Sequence, residues 1–548
     1  MKHLIFKFAA TILFSSFALA QNSKISKDFD NLDPNSKVDV IIQYKEAPTA
    51  AQHQRVIDRG GALKSELHSI KGGAYSIAAG QLAGLASDSD VFYISADRNL
   101  RGMLDNSTAA VNAPSAWKAG WSGAGIGVAL IDSGVSDHDD LISGNDRIVF
   151  RASFVAGGND DLYGHGEHVA GIIAGNGKDS ECTNCTRNFT GIAPKANLVS
   201  LRVLDQKGGG SDSSVIAAID LAILLKESFN IRVMNISLGR PVYESYKLDP
   251  LCQAVEAAWK AGIVVVVAAG NEGRNNSAGN NGYGTITSPG NDPYVITVGA
   301  MKSMGTPQRT DDLIASYSSK GPTQVDHIVK PDLVAPGNLV VSLLAPSGTL
   351  HTLYPQNQVP LKYYESTTQT QFSKDYFLLS GTSMAAPVVS GAVALLLQAH
   401  PGLTPDQVKA KLMRTTYKKF PKTSTAYDPI THQSFTSEYD VFTIGAGYLD
   451  VQAALADKTP FAGTALSPVA TYDFRTALLN CNAASVCANQ VLWGAQSIWG
   501  TQSIWGTQSI WGDQSIWGTQ SIWGTDSVWV ETILDSVELT HIAINGEK

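Results

Sequence analysis

Four short motifs in this chain of 548 residues hold side chains that are suited to nucleophilic catalysis. Asp132 ends an apolar run, and His165 stands between two glycines at the start of a helix-compatible stretch. Asn271 follows a run of valines, and Ser383 opens a long apolar stretch. A serine can attack a carbonyl carbon when a histidine takes its proton and a carboxylate orients that histidine. The four motifs therefore indicate acyl-transfer chemistry.

Each motif taken alone has a simpler interpretation. Ser383 is also an ordinary residue for a helix N-cap, and Asp132 is also typical of a turn after a strand. His165 and His168 are three residues apart, a spacing that a metal site tolerates, but the sequence offers no evident third ligand. We expect His165 to be the base at the exposed helix start and His168 to be a packed or hydrogen-bonded helix residue.

The elements around these motifs alternate between apolar strands and helices. Two of the helices are predicted to begin after N-caps at Ser213 and Asp249, and Pro387 is expected in the first turn of the helix at Ser383. This alternation predicts an α/β fold with a doubly wound, mostly parallel sheet, whose functional groups collect at the carboxyl ends of the strands. The predicted strands are Ile126 to Ile131, Leu198 to Leu204, Arg232 to Ile236, Ile263 to Ala268 and Val295 to Val298.

The four motifs occur in the order Asp, His, Asn, Ser, and together they resemble the subtilisin-like serine proteases, the subtilase or peptidase S8 family. The resemblance predicts a catalytic domain over residues 106–458. It implies a serine endopeptidase that works through an acyl-enzyme intermediate and requires no cofactor for its chemistry. It assigns Asp132, His165 and Ser383 to the catalytic triad and Asn271 to the oxyanion site.

The resemblance also implies where a polypeptide substrate binds. An extended peptide would pair by β-addition with two backbone segments, which fits an endopeptidase better than a hydrolase of small esters. The substrate-binding residues are predicted to be Gly208, Gly209, Gly210 and Ser211 in one segment, and Ser237, Leu238 and Gly239 in the other.

Three features depart from the usual pattern of the family. Glu167 stands where Thr or Ser is usual; we expect little effect on catalysis, although an acidic group there could raise the pKa of His165. The stretch 338–377 is long, and its paired aromatic residues either rim the cleft or pack an enlarged loop. Asp140 matches a position that helps to bind structural calcium in several relatives, but its neighbours differ, and a solvated acidic turn is the alternative.

The N-terminal part of the sequence is predicted to contain two segments that are removed during maturation. Residues 1–20 have a basic start, an apolar run and small residues before Gln21, as a secretory signal does, so the protein is expected to be secreted. The apolar run is too short to span a membrane, and we expect no transmembrane span. Residues 21–105 alternate strand-like runs with helix-compatible stretches, which predicts a small α+β module of the split βαβ kind. Its position resembles that of the I9-type inhibitory propeptide of subtilase zymogens, which would also aid folding.

The C-terminal extension, residues 459–548, carries a repeat of six residues between about 491 and 529, with tryptophans at every sixth position from Trp493 to Trp529. In an extended chain these side chains would face one side. They could bind a partner surface or glycan, cover the protease, or serve secretion and folding. A catalytically inactive surface or adhesion protein acting through these repeats is the alternative function, and cell-surface association through this region is possible.

Cysteine content and charge bound the remaining possibilities. Five cysteines in an exported chain predict disulfides, and Cys182 with Cys185 is expected to form a small loop disulfide, while Cys481 with Cys487 is a second plausible pair. Cys252 is expected to be a buried apolar filler. A net charge of -8 with mixed signs along the chain predicts no nucleic-acid partner. We expect a monomer.

Overall fold

The structure is a computed structural model. It describes residues 24–26, 29, 32–67, 71–96, 104–277, 279–367, 370–428, 431–473, 478–481 and 540–547. The chain divides into two units, Met1–Leu100 and Arg101–Lys548. The signal segment 1–20, the tryptophan repeats at about 491–529 and Cys487 lie outside the described residues.

The first unit contains an antiparallel sheet with two helices. Its sheet order is β2-β3-β1-β4, and the chain order β-α-β-β-α-β is the split βαβ arrangement. Val56 and Leu82 extend from the helices into a core that they share with Val40 and Ile42 of β1. β2 was not predicted from the sequence, and most of its residues are exposed. The elements are β1 Lys37–Tyr44, α1 Ala50–Asp58, β2 Ala62–Leu67, β3 Gly72–Ala78, α2 Leu82–Ala86 and β4 Val91–Ala96.

The second unit is built on a mostly parallel sheet with the strand order β11-β10-β9-β8-β5-β7-β6, and β12 pairs with β10. β11 is antiparallel to β10, whereas the other pairings in this sheet are parallel. The predicted parallel sheet is therefore confirmed. Its strands are β5 Gly127–Asp132, β6 Ile148–Ser153, β7 Asn197–Arg202, β8 Ile231–Ile236, β9 Val264–Ala268, β10 Ile296–Lys302, β11 Leu313–Ile314 and β12 Leu333–Pro336.

Helices cover this sheet in two groups. α7 and α8 pack together and reach β5, β7 and β9, while α6 and α10 pack together and reach β5, β8, β9 and β10. Two groups that share a sheet in this way make the fold doubly wound. The helices of the unit are α3 Leu104–Ala110, α4 Ala113–Lys118, α5 Asp139–Ile142, α6 His165–Ala174, α7 Asp212–Leu224, α8 Pro250–Lys260, α9 Thr349–Leu353, α10 Thr382–Ala399, α11 Pro405–Thr415, α12 Val441–Ile444 and α13 Val451–Ala456.

Two helix starts test the predicted caps. Asp249 caps α8 by accepting the Leu251 amide hydrogen, as predicted. The N-cap of α7 is Ser211 and not Ser213, because the Ser211 hydroxyl accepts the Ser214 amide hydrogen. Helix α10 is long and apolar enough to cross a membrane, but 83% of it is buried, which makes it a core helix.

Smaller sheets and turns complete the unit. The strands β13 Val340–Leu343, β14 Gln358–Pro360 and β15 Phe372–Leu379 form an antiparallel sheet in the order β13-β15-β14. Two hairpins follow along the chain. Residues 540–545 form a helical turn. The hairpin strands are β16 Thr423–Asp428, β17 Gln433–Glu438, β18 Ala470–Asp473 and β19 Leu478–Cys481.

The structure confirms the predictions for Cys182, Cys185 and Cys252. Cys182 and Cys185 form a disulfide. Cys252 is buried in α8 with its Sγ 3.3 Å from the Asn291 side-chain oxygen. Burial raises the pKa of the Cys252 thiol far above its ordinary value. A thiol in that state is a poor nucleophile, which agrees with a packing role.

Candidate active site

The carboxyl end of β5 brings Asp132 to His165. The Asp132 side chain is fully buried, and its Oδ1 lies 2.7 Å from Nδ1 of His165, the first residue of α6. The same oxygen accepts the Ser133 amide hydrogen. Burial alone would lower the pKa of His165, but the Asp132 carboxylate outweighs burial and leaves that pKa above its ordinary value. The pair fixes the imidazole with Nε2 as its remaining nitrogen.

Asp161 holds the start of α6 in place. Its Oδ1 accepts the amide hydrogen of Gly164 at 2.7 Å, and its Oδ2 accepts that of Glu167, also at 2.7 Å. These amides belong to the first turn, where a helix has no backbone acceptors of its own. Asp161 also raises the pKa of His165 through its charge. Asp161 was not predicted as a site residue, although an acidic residue four positions before the histidine is a usable sign of a helix start.

Gly166 lets α6 approach the turn that follows β5. A Cβ at Gly166 would lie 2.2 Å from the Gly134 carbonyl oxygen, so any side chain there would push His165 away from Asp132. Glu167 is completely buried and its Oε2 accepts the Ser136 amide hydrogen at 2.6 Å. Burial raises the pKa of Glu167 well above its ordinary value, and the Asp161 charge adds to this effect.

His168 is packed inside the protein, as expected. Its Nε2 donates toward the carbonyl oxygens of Val340 and Phe377 at 3.0 and 3.2 Å. Burial lowers the pKa of His168 to about 3, so the ring is neutral. Within the described residues, neither His165 nor His168 belongs to a group of three or more side chains that could hold a metal ion.

Ser383 is the second residue of α10 and forms a reciprocal contact with the end of β8. Its hydroxyl donates to the Ser237 carbonyl at 3.0 Å, and the Ser237 hydroxyl donates to the Ser383 carbonyl at 2.9 Å. Ser237 directly follows β8, which pairs with β5 along the Ile131–Ile236 register. Ser383 therefore lies at the same sheet edge as Asp132.

Asn271 is held against the turn that leads into α10. Its Oδ1 accepts the Thr382 amide hydrogen at 2.8 Å, which leaves Nδ2 as the outward donor of the amide. A Cβ at Gly381 would lie 3.1 Å from that Nδ2, and Gly381 has φ +145°, a conformation that favours glycine. The Asn271 side-chain amide therefore lies beside Gly381, two residues before Ser383.

The two predicted substrate segments are backbone loops that follow β7 and β8. Gly209, Gly210 and Ser211 are exposed, while Gly208 packs against Tyr163. Ser237 is buried by its contact with Ser383, and Leu238 and Gly239 become progressively more exposed. Within the described residues, Leu238 and Gly239 have no backbone hydrogen bond.

Asp140 is buried rather than part of a solvated acidic turn. It clusters with His138 and Asp179, but its Oδ2 accepts the Tyr376 hydroxyl and its Oδ1 accepts the Asp179 amide hydrogen. The Arg147 guanidinium donates to the Asp140 carbonyl. Calcium takes six to eight oxygen ligands from carboxylates, carbonyls and water. A set of two carboxylates with a histidine, a phenol donor and a neighbouring cation does not fit calcium.

The aromatic residues of the long stretch 338–377 mostly pack an enlarged loop. Tyr364, Tyr376 and Phe377 are buried. The Tyr376 ring lies 4.7 Å from that of Phe189 in an edge-on arrangement, between centroids. Tyr363 is partly exposed and stacks beneath the Arg187 guanidinium at 4.5 Å. Packing therefore accounts for these side chains better than a role at the cleft rim.

Comparison with known proteins identifies the family. Residues 123–439 match the family described as the subtilase family. The chain is 35% identical over 402 residues to the serine protease AprX of Bacillus subtilis strain 168, covering 71% of this chain and 84% of that protein. It is 32% identical over 386 residues to subtilisin E of the same strain, covering 68% and 84%.

A third relative comes from another genus. The extracellular serine proteinase of Thermus sp. strain Rt41A is 31% identical over 393 residues, which cover 69% of this chain and 79% of that protein. The matched segment 123–439 includes the motifs of Asp132, His165, Asn271 and Ser383. The chain therefore belongs to the subtilase family and is a serine-type endopeptidase.

Proposed function

We propose that this protein is a secreted endopeptidase, made as a zymogen, in which Ser383 is the nucleophile and His165 is the general base. Asp132 orients His165, and Asn271 donates to the oxyanion. The observation that carries these roles is the 2.7 Å contact between Asp132 and His165 at the sheet edge that also holds Ser383. A buried carboxylate on Nδ1 leaves Nε2 of the imidazole to take a proton.

Acylation begins when the Ser383 hydroxyl turns from the Ser237 carbonyl to Nε2 of His165. The proton moves to Nε2 as Oγ attacks the substrate carbonyl carbon, and the imidazolium is stabilised by Asp132. Negative charge develops on the substrate oxygen. The Asn271 Nδ2 group and the Ser383 amide at the start of α10 stabilise that charge through hydrogen bonds and the helix dipole. His165 then protonates the leaving amine, and the acyl-enzyme remains.

Deacylation repeats these steps with water. His165 takes a proton from the water, the hydroxide attacks the acyl carbon, and Ser383 leaves with the proton returned by His165. The unpaired backbone groups of Leu238 and Gly239 and the exposed Gly209 to Ser211 segment would hold an extended polypeptide on either side during both steps. Each step uses side chains of this chain and a substrate water.

The assignment is tested by replacing Ser383. We expect Ser383→Ala to lose about 10⁶-fold in kcat on unfolded casein and to lose all labelling by a serine-directed phosphonate. Ser277→Ala is the matched control, since Ser277 is exposed and its side chain is not part of the site. Asn271→Ala should lose about 10²- to 10³-fold in kcat, because one oxyanion donor is removed. Full labelling of Ser383→Ala would disprove the nucleophile assignment.

The first unit supports a propeptide role by its split βαβ sheet and its place between the predicted signal and the protease. We infer that residues 21–105 inhibit the protease and assist its folding, and that residues 1–20 direct export. N-terminal sequencing of the secreted protein should give a first residue near 106 for wild type. The Ser383→Ala protein should keep its propeptide attached. Cleavage of the Ser383→Ala chain at the same site, with no protease added, would contradict self-processing.

A further inference from the structure

A short segment that follows the tryptophan repeats in the sequence packs on the second unit. Ile542 and Ile544 belong to the hydrophobic core of that unit and are 1% and 4% exposed. Glu547 is also buried, at 4% exposed. These three buried residues anchor the segment on the unit. We call residues 541–547 the C-terminal clasp.

One part of the clasp lies against the turn before Ser383. The Ala543 carbonyl accepts the amide hydrogen of Ser380 at 2.9 Å, and Ser380 lies three residues before the nucleophile. Gly546 is so close that a Cβ there would lie 2.5 Å from the Ser380 hydroxyl oxygen. The Ser380 hydroxyl in turn accepts the Leu339 amide hydrogen at 2.8 Å. The clasp therefore binds the Ser380 amide and packs closely against the Ser380 side chain.

The other part of the clasp lies against the turn after Asn271. The Glu547 carboxylate accepts from Arg274 at 3.2 Å and from the Ser316 amide at 2.8 Å. Arg274 follows Asn271 by three residues and is itself buried. The Asn338 side chain donates to the Glu547 carbonyl and accepts the Glu547 amide hydrogen, each at 2.7 Å. Lys302 adds a second cation 3.7 Å from the carboxylate.

Burial makes the Glu547 contacts strong determinants of geometry. A buried carboxylate without its cation is unfavourable, so Arg274 and Glu547 hold each other in place. Arg274 also donates to Asp428 at 3.1 Å, which gives the guanidinium two buried carboxylates. An Asn271 turn tied in this way cannot shift without breaking several hydrogen bonds.

We propose that the C-terminal clasp positions two turns relative to each other, and that full turnover requires it. They are the oxyanion turn, which follows Asn271, and the nucleophile turn, which precedes Ser383. This inference rests on the proposed roles of Ser383 and Asn271. The clasp touches neither the substrate nor the reacting atoms, so Glu547 is a positioning residue.

The first test uses the whole chain. We expect Glu547→Ala to lower kcat per phosphonate-titrated site by about tenfold with KM within about twofold, less than the loss of an entire oxyanion donor. Glu547→Gln keeps the Ser316 contacts and should fall between wild type and Glu547→Ala. Asn545→Ala is the matched control, since Asn545 is exposed on the same turn, and it should match wild type. An unchanged kcat per titrated site in Glu547→Ala would overturn the proposal, even if that protein melted earlier.

The second test supplies the clasp separately. A chain ending at Thr540 should show reduced kcat that a synthetic peptide of residues 541–548 restores, whereas the same peptide carrying Glu547→Ala should not. Failure of the wild-type peptide to raise kcat in a truncated chain that folds and titrates would refute a positioning role; if that chain does not fold, Glu547→Ala decides. Mass spectrometry of the phosphonate adduct separates the two hypotheses. A label on another residue would refute the catalytic assignment, whereas a label on Ser383 with unchanged kcat would refute the clasp alone.

Discussion

Ser237 and Ser383 exchange two hydrogen bonds, in which the hydroxyl of each donates to the backbone carbonyl of the other. The Ser383 carbonyl is available because Pro387, four residues later in α10, has no amide hydrogen to donate to it. A second layer supports the pair. Asn235 donates to the Ser237 hydroxyl, and Ser390 donates to Asn235. The nucleophile is therefore held by the strand beside the one that carries Asp132.

We predict that Ser237→Ala destabilises the protein by about 1–3 kcal/mol, because the partly buried Ser383 carbonyl loses its donor. In a Pro387→Ala background the new amide hydrogen can satisfy that carbonyl, so the same Ser237→Ala change should cost less. Urea unfolding of the four phosphonate-labelled proteins measures the coupling. Equal costs in the two backgrounds would show that Pro387 does not create the acceptor.

The pH profile of kcat/KM tests the Asp132–His165 pair. Because the pKa of His165 is raised, the base is protonated and lost at a higher pH than for an ordinary histidine, and activity falls earlier as pH decreases. Asp132→Asn should remove most of this effect and move the acid limb to lower pH. It should also lower kcat by about 10⁴-fold. An acid limb that stays in place in Asp132→Asn would mean that another group controls it.

Asp161→Asn should weaken both the helix cap and the charge near His165. We expect a loss of about 1–2 kcal/mol in the free energy of unfolding, since the caps of the first turn of α6 are weakened. The acid limb of kcat/KM should also move to lower pH. Asp160→Asn is the matched control, because Asp160 is exposed and adjacent. If both variants behaved alike, the cap contacts would not account for the effect.

Glu167 makes stability depend on pH. Its folded pKa is well above the unfolded value of 4.5, so the folded state binds the proton more tightly. Below pH 4.5 the Glu167 side chain is protonated in both states, and its burial involves no charge. The free energy of unfolding falls as pH rises from there toward the folded pKa, by about 1.4 kcal/mol per pH unit. Glu167→Gln lacks this titration.

We therefore expect the stability advantage of Glu167→Gln over wild type to be absent below pH 4.5 and to grow above it. Thermal unfolding of both chains in a Ser383→Ala background, which prevents self-digestion, measures the difference. Stability curves that stay parallel between about pH 4 and 8 would show that Glu167 does not ionise on unfolding in this window.

Five strands of the main sheet, β5, β7, β8, β9 and β10, were predictable because each depends on local sequence, whereas β6, β11 and β12 were not predicted. A buried parallel strand is a short apolar run, and β9 consists of valines and one alanine. The N-cap of α7 was misassigned because Ser211 and Ser213 are equally good caps and the choice depends on the loop before them. Asp160 and Asp161 are a similar case: they are adjacent aspartates, and tertiary packing alone buries Asp161.

Contacts between distant parts of the chain could not be predicted from local patterns. The residues that hold Ser383 from outside its own helix are Ser237 and, through Ser380, the backbone of Ala543. Neither contact follows from a periodicity or a short motif, because each joins segments more than a hundred positions apart. The low content of polar residues in Ile542-Ala543-Ile544 is a weak local sign of burial, but it does not say which surface they cover.

The docked clasp ties activity to the order of synthesis. Asn338 and Glu547 are 209 positions apart, so a ribosome completes the Asp132, His165, Asn271 and Ser383 motifs and then the tryptophan repeats before Glu547 exists. A frameshift or stop codon inside the repeats would leave all four motifs intact and yet yield a protease with an unsupported oxyanion turn. Truncation within the repeats should therefore appear first as slow turnover, because it also removes the clasp.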